Sequence, residues 1–155
     1  MNRRFYYWVD ILGMRYLGID YGTKRMGIAV SDDGGRIAFP KSVVHAETER
    51  VRIREILRIA KRERIKTIVF GLPRDMSGKE RETARRIRAF LVRLRRKTSL
   101  PIMFENEVLT TRLAAKSTSS KAKIDAVAAA LILQSYLDRK SEARNSKFKT
   151  RVQNF

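Results

Sequence analysis

From Arg15 onward, apolar positions fall in short runs separated by turn residues. Arg15–Asp20 (RYLGID) predicts a strand ending on an acid, Tyr21–Arg25 (YGTKR) a turn, and Met26–Val30 (MGIAV) a second strand pairing back on the first. Ser31–Gly35 (SDDGG) predicts another turn, and Arg36–Val44 a third strand interrupted at Pro40. The period then changes. Ile53, Ile56, Leu57 and Ala60 lie at i, i+3, i+4 and i+7, one face of a helix, with Thr48 placed to cap its start. Thr67–Phe70 (TIVF), closed by Gly71-Leu72-Pro73, has the unbroken apolar character of a buried parallel strand. Ala84, Ile87, Leu91 and Leu94 mark a second helix and Pro101–Phe104 a fifth strand. A last helix carries Ile124, Val127, Ala128, Leu131 and Ser135 on one side and runs to about Asp138.

The order β-β-β-α-β-α-β-α predicts an α/β domain. Its mixed five-stranded sheet has three antiparallel strands followed by two parallel additions, flanked by helices. A doubly wound fold would need helices between the first three strands, and the sequence leaves no room for them. With 155 residues, 43% of them hydrophobic, one core is enough. The expected organisation is an N-terminal extension over 1–14, the folded domain over 15–139 and a flexible basic tail over 140–155. Phe5–Val9 is too short to span a bilayer, is interrupted by Asp10 and lacks a signal-peptide layout, so a cytoplasmic protein without a membrane partner is expected. Met14 offers an alternative start.

Charge sharpens this picture. The chain has 35 Lys and Arg against 16 Asp and Glu, a net +19, far above what solubility requires of a small domain. Self-repulsion on that scale is offset by a polyanionic partner, because neutralised phosphates release counterions. A thermophile surface would bring Glu along with its bases; here arginine has no matching acid. The bases also cluster. Arg50–Lys66 holds eight bases and two acids, Lys79–Lys97 nine and two, and Arg139–Phe155 six and one. The two helical segments are expected to carry these bases on their outer faces and to contact phosphate backbones without reading sequence. The absence of cysteine and the single histidine, His45, exclude a disulfide framework, a thiolate nucleophile and the usual zinc sites.

Three acids stand out. Asp20 ends the first strand at the sheet rim, where a carboxylate is costly unless paired, hydrogen-bonded or metal-bound. Asp125 flanks the apolar stripe early in the last helix, and Glu107 follows the fifth strand. If these elements converge, the cluster of oxygen ligands suits Mg²⁺ or Mn²⁺, which could orient a water and hold a scissile phosphate. Each acid also has a purely structural reading. Asp20 could hold the Tyr21-Gly22 turn, Asp125 could favour the helix dipole, and Glu107 by itself divides evenly between the two. Glu105 reads as an ordinary strand surface residue. Thr23, Lys24 and Arg25 in the turn beside Asp20, Lys79 at a helix start, Thr110 and Thr111 after the Glu107 loop, and Lys121 and Lys123 before Asp125 are the expected phosphate contacts. No Walker-type GK[ST] ending supports an ATP site.

Gly18-Ile19-Asp20-Tyr21-Gly22-Thr23-Lys24-Arg25-Met26-Gly27-Ile28-Ala29-Val30-Ser31-Asp32 resembles the opening motif of the YqgF/RuvX family of pre-16S rRNA nucleases, also described as Holliday junction resolvase-like. Val69–Pro73 with Met76-Ser77-Gly78, Asn106–Thr111 and Lys123–Ala129 resemble its later motifs, so the likeness covers roughly Arg15–Arg139. The resemblance implies a ribonuclease-H-like fold and a divalent-metal phosphodiesterase site at Asp20, Glu107 and Asp125. It further implies a role in processing the 5′ end of 16S rRNA precursor, near ribosomal assembly particles. Precursor RNA is favoured over junction DNA as partner, with a monomer or weak dimer expected; a non-catalytic RNA-binding assembly or transcription factor is the alternative outside enzymes. Two departures bear on this. Asn106-Glu107-Val108 stands where the family usually has Asp-Glu-Arg, and Thr111 lies only 14 residues before Asp125, a shorter span than is usual.

Overall fold

The computed structural model describes residues 13–22, 24–73, 78–107 and 121–152, with side chains over 13–22, 24–72, 82–105 and 123–144. Strands β1 (Arg15–Tyr21), β2 (Arg25–Ser31) and β3 (Ala38–His45) form the antiparallel meander; helix α1 (Glu49–Arg62) leads to β4 (Ile65–Pro73), and α2 (Gly78–Arg95) to β5 (Ile102–Glu107). Helix α3 spans Lys121–Val152. The sheet order is β3-β2-β1-β4-β5, with β1–β4 and β4–β5 parallel. This is the mixed five-stranded sheet expected from the pattern. Pro40 is accommodated because β3 is an edge strand, where no ladder partner needs its missing N–H, and the β2–β3 register slips between Ile28 and Ala29 opposite it.

Alternation along the strands separates two cores. Leu17, Ile19 and Tyr21 of β1 and Met26, Ile28 and Val30 of β2 face one side, where they pack with Ile56, Ile59, Ile87, Phe90, Leu91 and Leu94 of α1 and α2. Tyr16 and Ala29 face the other side and pack with Ala129, Ile132, Leu133 and Tyr136 of α3. Ile68, Val69 and Phe70 are fully buried, which a central parallel strand covered on both faces requires. Fully burying one such side chain contributes about 1.5–3 kcal/mol.

Local chemistry sets the helix entries and faces. Thr48 caps α1, its hydroxyl accepting from the Val51 N–H at 3.3 Å. The buried face of α1 is Arg52, Ile56, Ile59 and Ala60, turned slightly from the face the periodicity suggested, so Ile53 and Leu57 are only partly covered. The cause is Arg52: its guanidinium donates to the Ala46 carbonyl, the Tyr21 hydroxyl and the Gly22 carbonyl, drawing the helix inward at the β1–β2 turn. One arginine of the basic band is therefore buried rather than solvated.

Helix α3 departs further from expectation. Its closest face is Ala128, Ala129, Ile132, Leu133, Tyr136 and Leu137, whereas Ile124, Val127 and Leu131 are half-buried and Ser135 is exposed. The glycines of the sheet decide this. An added Cβ on Gly18 would stand 2.7 Å from Leu133 Cβ and 2.8 Å from the Ala129 carbonyl oxygen, so the alanine-rich side of α3 lies directly on the strand. The helix also continues past Asp138 to Val152, taking in most of the segment expected to be a flexible tail. Lys140 reaches the Tyr16 hydroxyl and lies over its ring, tying part of that extension to β1.

Two carboxylates give the fold an acid-sensitive limb. At Asp32, burial opposes ionisation but is outweighed by the backbone N–H groups of Ile37, Arg36 and Gly34, so its carboxyl titrates below its ordinary value. At Glu63, burial is likewise outweighed by Lys41, Arg62 and Arg15. A lowered folded pKa contributes stability that is fully present above the unfolded-state value and disappears as pH falls through the folded one. Stability should therefore decline as pH drops below the ordinary carboxylate range. Asp32→Asn combined with Glu63→Gln is expected to flatten that decline in urea unfolding across pH 2–5 (about the span of carboxylate titration); an unchanged slope would refute the assignment.

Candidate functional site

Asp20 is the residue after Ile19, the last of β1 to pair with β4, and lies at the carboxyl end of the parallel strands. With Tyr16 and Gly18 it belongs to the face covered by α3. Across the antiparallel pair its partner is Gly27. That glycine is where α3 arrives: an added Cβ on Gly27 would fall 2.5 Å from the Asp125 carbonyl carbon and closer still to its oxygen. The sheet and the helix thus bring Asp20 and Asp125 together at one rim, although 105 positions separate them in the chain. Small residues at Gly18, Gly27 and Ala29 make that approach sterically feasible.

Asp125 sits beyond the first turn of α3, which begins at Lys121 and has no acid in that turn. A dipole effect fades within that turn, so helix capping does not account for this carboxylate. Arg25 Nε lies 3.0 Å from Asp125 Oδ2, both side chains being about a quarter exposed. The pair has charge contact without hydrogen-bond alignment, and Oδ2 is a buried oxygen with no hydrogen-bond partner among the described residues. Arg25, expected among the phosphate contacts, is thus turned toward the acid. Lys24 beside it is exposed, and so is Lys123, which engages another group.

The turn between β1 and β2 closes by the Gly22 N–H donating to the Arg25 carbonyl at 2.9 Å. Gly22 is needed there for close approach, since a Cβ would meet that same carbonyl oxygen at 2.5 Å. Arg52 braces the turn from the opposite face of the sheet through Gly22 and Tyr21. The position next to Asp20 is therefore held from both sides.

Glu107 ends β5 in register with Pro73 of β4, at the same carboxyl end of the parallel strands as Asp20; its side chain lies outside the described residues. Lys79 is in the first turn of α2 and Lys121 opens α3, again with side chains outside that set, and Thr23, Thr110 and Thr111 fall outside it altogether. Among the described residues no group of three or more acids or histidines is assembled for a metal ion. The structure corrects the reading of Glu105. It is buried, accepting from Ser135 and ion-paired with Arg139 of α3. The long helix crosses over β5 and supplies the partners a surface reading did not provide for. Sequence reasoning missed both this clamp and the bracing by Arg52. A period-two row of small residues, Gly18 on β1 and Gly27 and Ala29 on β2, was the available sign that a helix would lie close on that face.

Comparison with known proteins agrees with this architecture. The family described as "RuvX: Holliday junction resolvase" matches residues 14–139. A protein of Nitratidesulfovibrio vulgaris (strain DSM 19637 / Miyazaki F), named "Putative pre-16S rRNA nuclease", is 40% identical over 133 residues, covering 81% of this chain and 94% of the relative. One of the same name from Anaeromyxobacter sp. (strain Fw109-5) is also 40% identical, covering 81% and 97%. Among solved structures, the T. thermophilus RuvC complex with Holliday junction substrate aligns with a TM-score of 0.55 at 14% identity, covering 83% of this chain and 96% of that one. The Fowlpox virus resolvase complex with Holliday junction DNA aligns at 0.51 and 11% identity, covering 81% and 98%. These two likenesses show the fold, a ribonuclease-H-like sheet of RuvC type flanked by helices. The extent of the sequence match shows more: the chain belongs to the YqgF/RuvX family.

Proposed function

We propose that the protein is a divalent-metal-dependent endonuclease that hydrolyses phosphodiester bonds in structured RNA. The substrate class is precursor 16S rRNA, as the relatives' names suggest, and its 5′ end is the expected place of cleavage. The observation that carries this reading is the meeting of Asp125 with Gly27, the cross-strand partner of Asp20, at the rim of a basic domain.

The residues present fit a hard cation. Among the described residues, Asp125 Oδ2 is a buried oxygen without a hydrogen bond, and the unaligned Arg25 charge lies beside it. A second carboxylate, Asp20, lies on the same face, and the donor set is all oxygen. Asp20 and Asp125 would be the principal ligands of Mg²⁺ or Mn²⁺, with Glu107 as a third ligand or an orienter of water. When bound, the cation would supply an activated water and neutralise charge developing on phosphate. Arg25 holds the Asp125 carboxylate in place and limits its motion. Exposed Lys24 at the adjoining turn positions the substrate backbone, while α3 keeps solvent from the sheet face behind Asp20. The expected setting is the cytoplasm, as a monomer or weak dimer beside ribosomal assembly particles.

Labelled precursor rRNA and four-way junction DNA, each incubated with Mg²⁺ or Mn²⁺, provide the test. Asp20→Asn is expected to abolish cleavage while retaining most RNA binding. Preferential cutting of the junction would replace RNA with DNA as substrate. Tight RNA binding without cleavage or cation uptake by the wild type would favour a non-catalytic assembly factor, a reading to which Asn106 and Val108 lend support. Full metal-dependent activity in Asp20→Asn would remove the proposed site.

A further inference from the structure

The basic bands of α1 and α2 lie away from the Asp20–Asp125 pair. Helices α1 and α2 pack on the Leu17–Ile19–Tyr21 side of the sheet, whereas Asp20 and Asp125 belong to the α3 side. Between α1 and α2 runs an open groove of about 790 Å³. Arg50 and Arg54 come to it from α1, and Arg93, Arg96 and Lys97 from the end of α2 and just beyond. Half-buried Ile53 and Leu57 also line it.

The electrostatics of the groove are one-sided. Glu49, the one acid lining it among the described residues, is engaged by Arg93, and that ion pair links the two helices. Arg54 has a long contact of 3.8 Å with Glu55, which Arg58 holds more closely at 2.8 Å. Arg50, Arg96 and Lys97 are exposed and have no acidic partner among the described residues. Three uncompensated bases and the weakly compensated Arg54, gathered into one concavity, repel one another until an anion enters. Several bases lining one open concavity of this size suit an anion that brings several charges at once, as a run of backbone phosphates does. Among the described residues the lining holds no aromatic side chain on which single-stranded bases would stack.

The groove is also connected to the site. It opens at the first turns of α1, the helix whose Arg52 grips the Gly22 carbonyl and Tyr21 hydroxyl of the β1–β2 turn. Exposed Lys24 stands on that same turn. A polynucleotide lying across the rim at Asp20 and Asp125 would thus pass Lys24 on its way to the groove bases on the opposite face of the sheet.

We infer that the α1–α2 groove is a second docking surface, which takes the phosphate backbone of a structured polynucleotide on the face opposite the acid pair. The inference rests on the proposed reading of the protein as a nucleic-acid enzyme and goes beyond it. It separates the surface that holds the substrate from the rim that would cut it, and it favours substrates long or folded enough to reach both.

The test compares two triple variants of the full chain that lower net charge equally. Arg50→Glu/Arg96→Glu/Lys97→Glu reverses the groove, and Arg36→Glu/Lys66→Glu/Arg144→Glu reverses exposed bases elsewhere. All six positions are exposed, so thermal unfolding should match the wild type, and a matched unfolding curve is required before binding is compared. Binding to a long folded RNA and to four-way DNA is measured over a salt series, and cleavage of a short RNA duplex is measured with Mn²⁺. The groove variant is expected to lose at least about tenfold affinity for the long substrate, with its log–log salt slope smaller by about 2–3, as removing about three phosphate contacts requires. The control should lose much less, and both should cut the short duplex at the wild-type rate. Loss on RNA alone, or on DNA alone, identifies which backbone the groove accepts. Equal losses in the two variants, or an unchanged salt slope, would overturn the inference by reducing it to overall charge. Failure of the wild type to cleave anything would instead strike at the proposed function while leaving the binding result readable.

Discussion

Replacing Gly27 with alanine is expected to destabilise the protein by about 3 kcal/mol, the upper part of the usual range for overpacking a tight interior. The new methyl would fall 2.5 Å from the Asp125 carbonyl carbon, closer still to its oxygen, and 3.2 Å from the Ala126 nitrogen. All three are backbone atoms of α3, so no side chain can swing aside, and relief requires the helix to lift. Lifting it would loosen Ala129, Ile132 and Leu133 from the sheet and carry Asp125 away from Asp20. Folded Gly27→Ala protein should therefore be less active as well as less stable. Gly34→Ala is the matched control: its nearest neighbour would be the Asp32 carboxylate tip at 3.3 Å, a side-chain atom that can shift. Urea midpoints for the two variants provide the measurement. A Gly27→Ala protein within about 1 kcal/mol of the wild type, the centre of ordinary single substitutions, would mean that α3 is less tightly seated than described.

The second large effect concerns Asp125 itself. Asp125→Asn keeps the shape of the side chain but removes the charge facing Arg25 and one of the two carboxylates brought to the rim. Cleavage is expected to fall by more than about a hundredfold, since losing even an indirect support of a metal ligand commonly costs 10–100-fold. Mn²⁺ binding, followed by calorimetry on the uncleaved protein, should weaken in parallel. Stability should change little, because the ion pair is partly solvated and the backbone packing at Gly27 is untouched. A variant that binds Mn²⁺ as the wild type does would show that Asp125 serves only to hold Arg25.

These two effects involve neighbouring atoms for one reason. The residue that admits the helix, Gly27, is the cross-strand partner of the residue that ends β1, Asp20. The approach that buries the α3 core is also the approach that seats Asp125, so packing and site geometry cannot be varied independently here.

Much of this was legible in the chain itself. The period-two runs of β1 and β2, the continuous apolar run of β4 and the 3.6-residue periods of α1 and α2 follow from local burial, which depends on neighbours a few positions away. The strand directions followed, because short turns force the meander and the helical connections force parallel returns, while the place of β4 beside β1 came only from the structure. The acids at Asp20 and Asp125 drew attention because carboxylates beside buried apolar positions are costly. Their motif context also resembled a known family, and its membership is now shown.

What the local pattern could not reveal depends on which surfaces meet. The buried face of α3 turned toward Ala129 and Leu133 because glycines on distant strands opened room for a backbone, and no period within the helix records that. Glu105 read as surface because strand alternation says which side a residue faces but not what covers that side; Ser135 and Arg139 arrive from 30 and 34 positions away. Arg25 and Arg52 looked like two more bases in a basic chain until packing turned one toward Asp125 and buried the other against Tyr21. Composition established that the molecule is strongly positive. Only the tertiary arrangement put the bases of α1 and α2 on one face of the sheet and the acid pair on the other, because charge adds up along a chain while a site depends on distance.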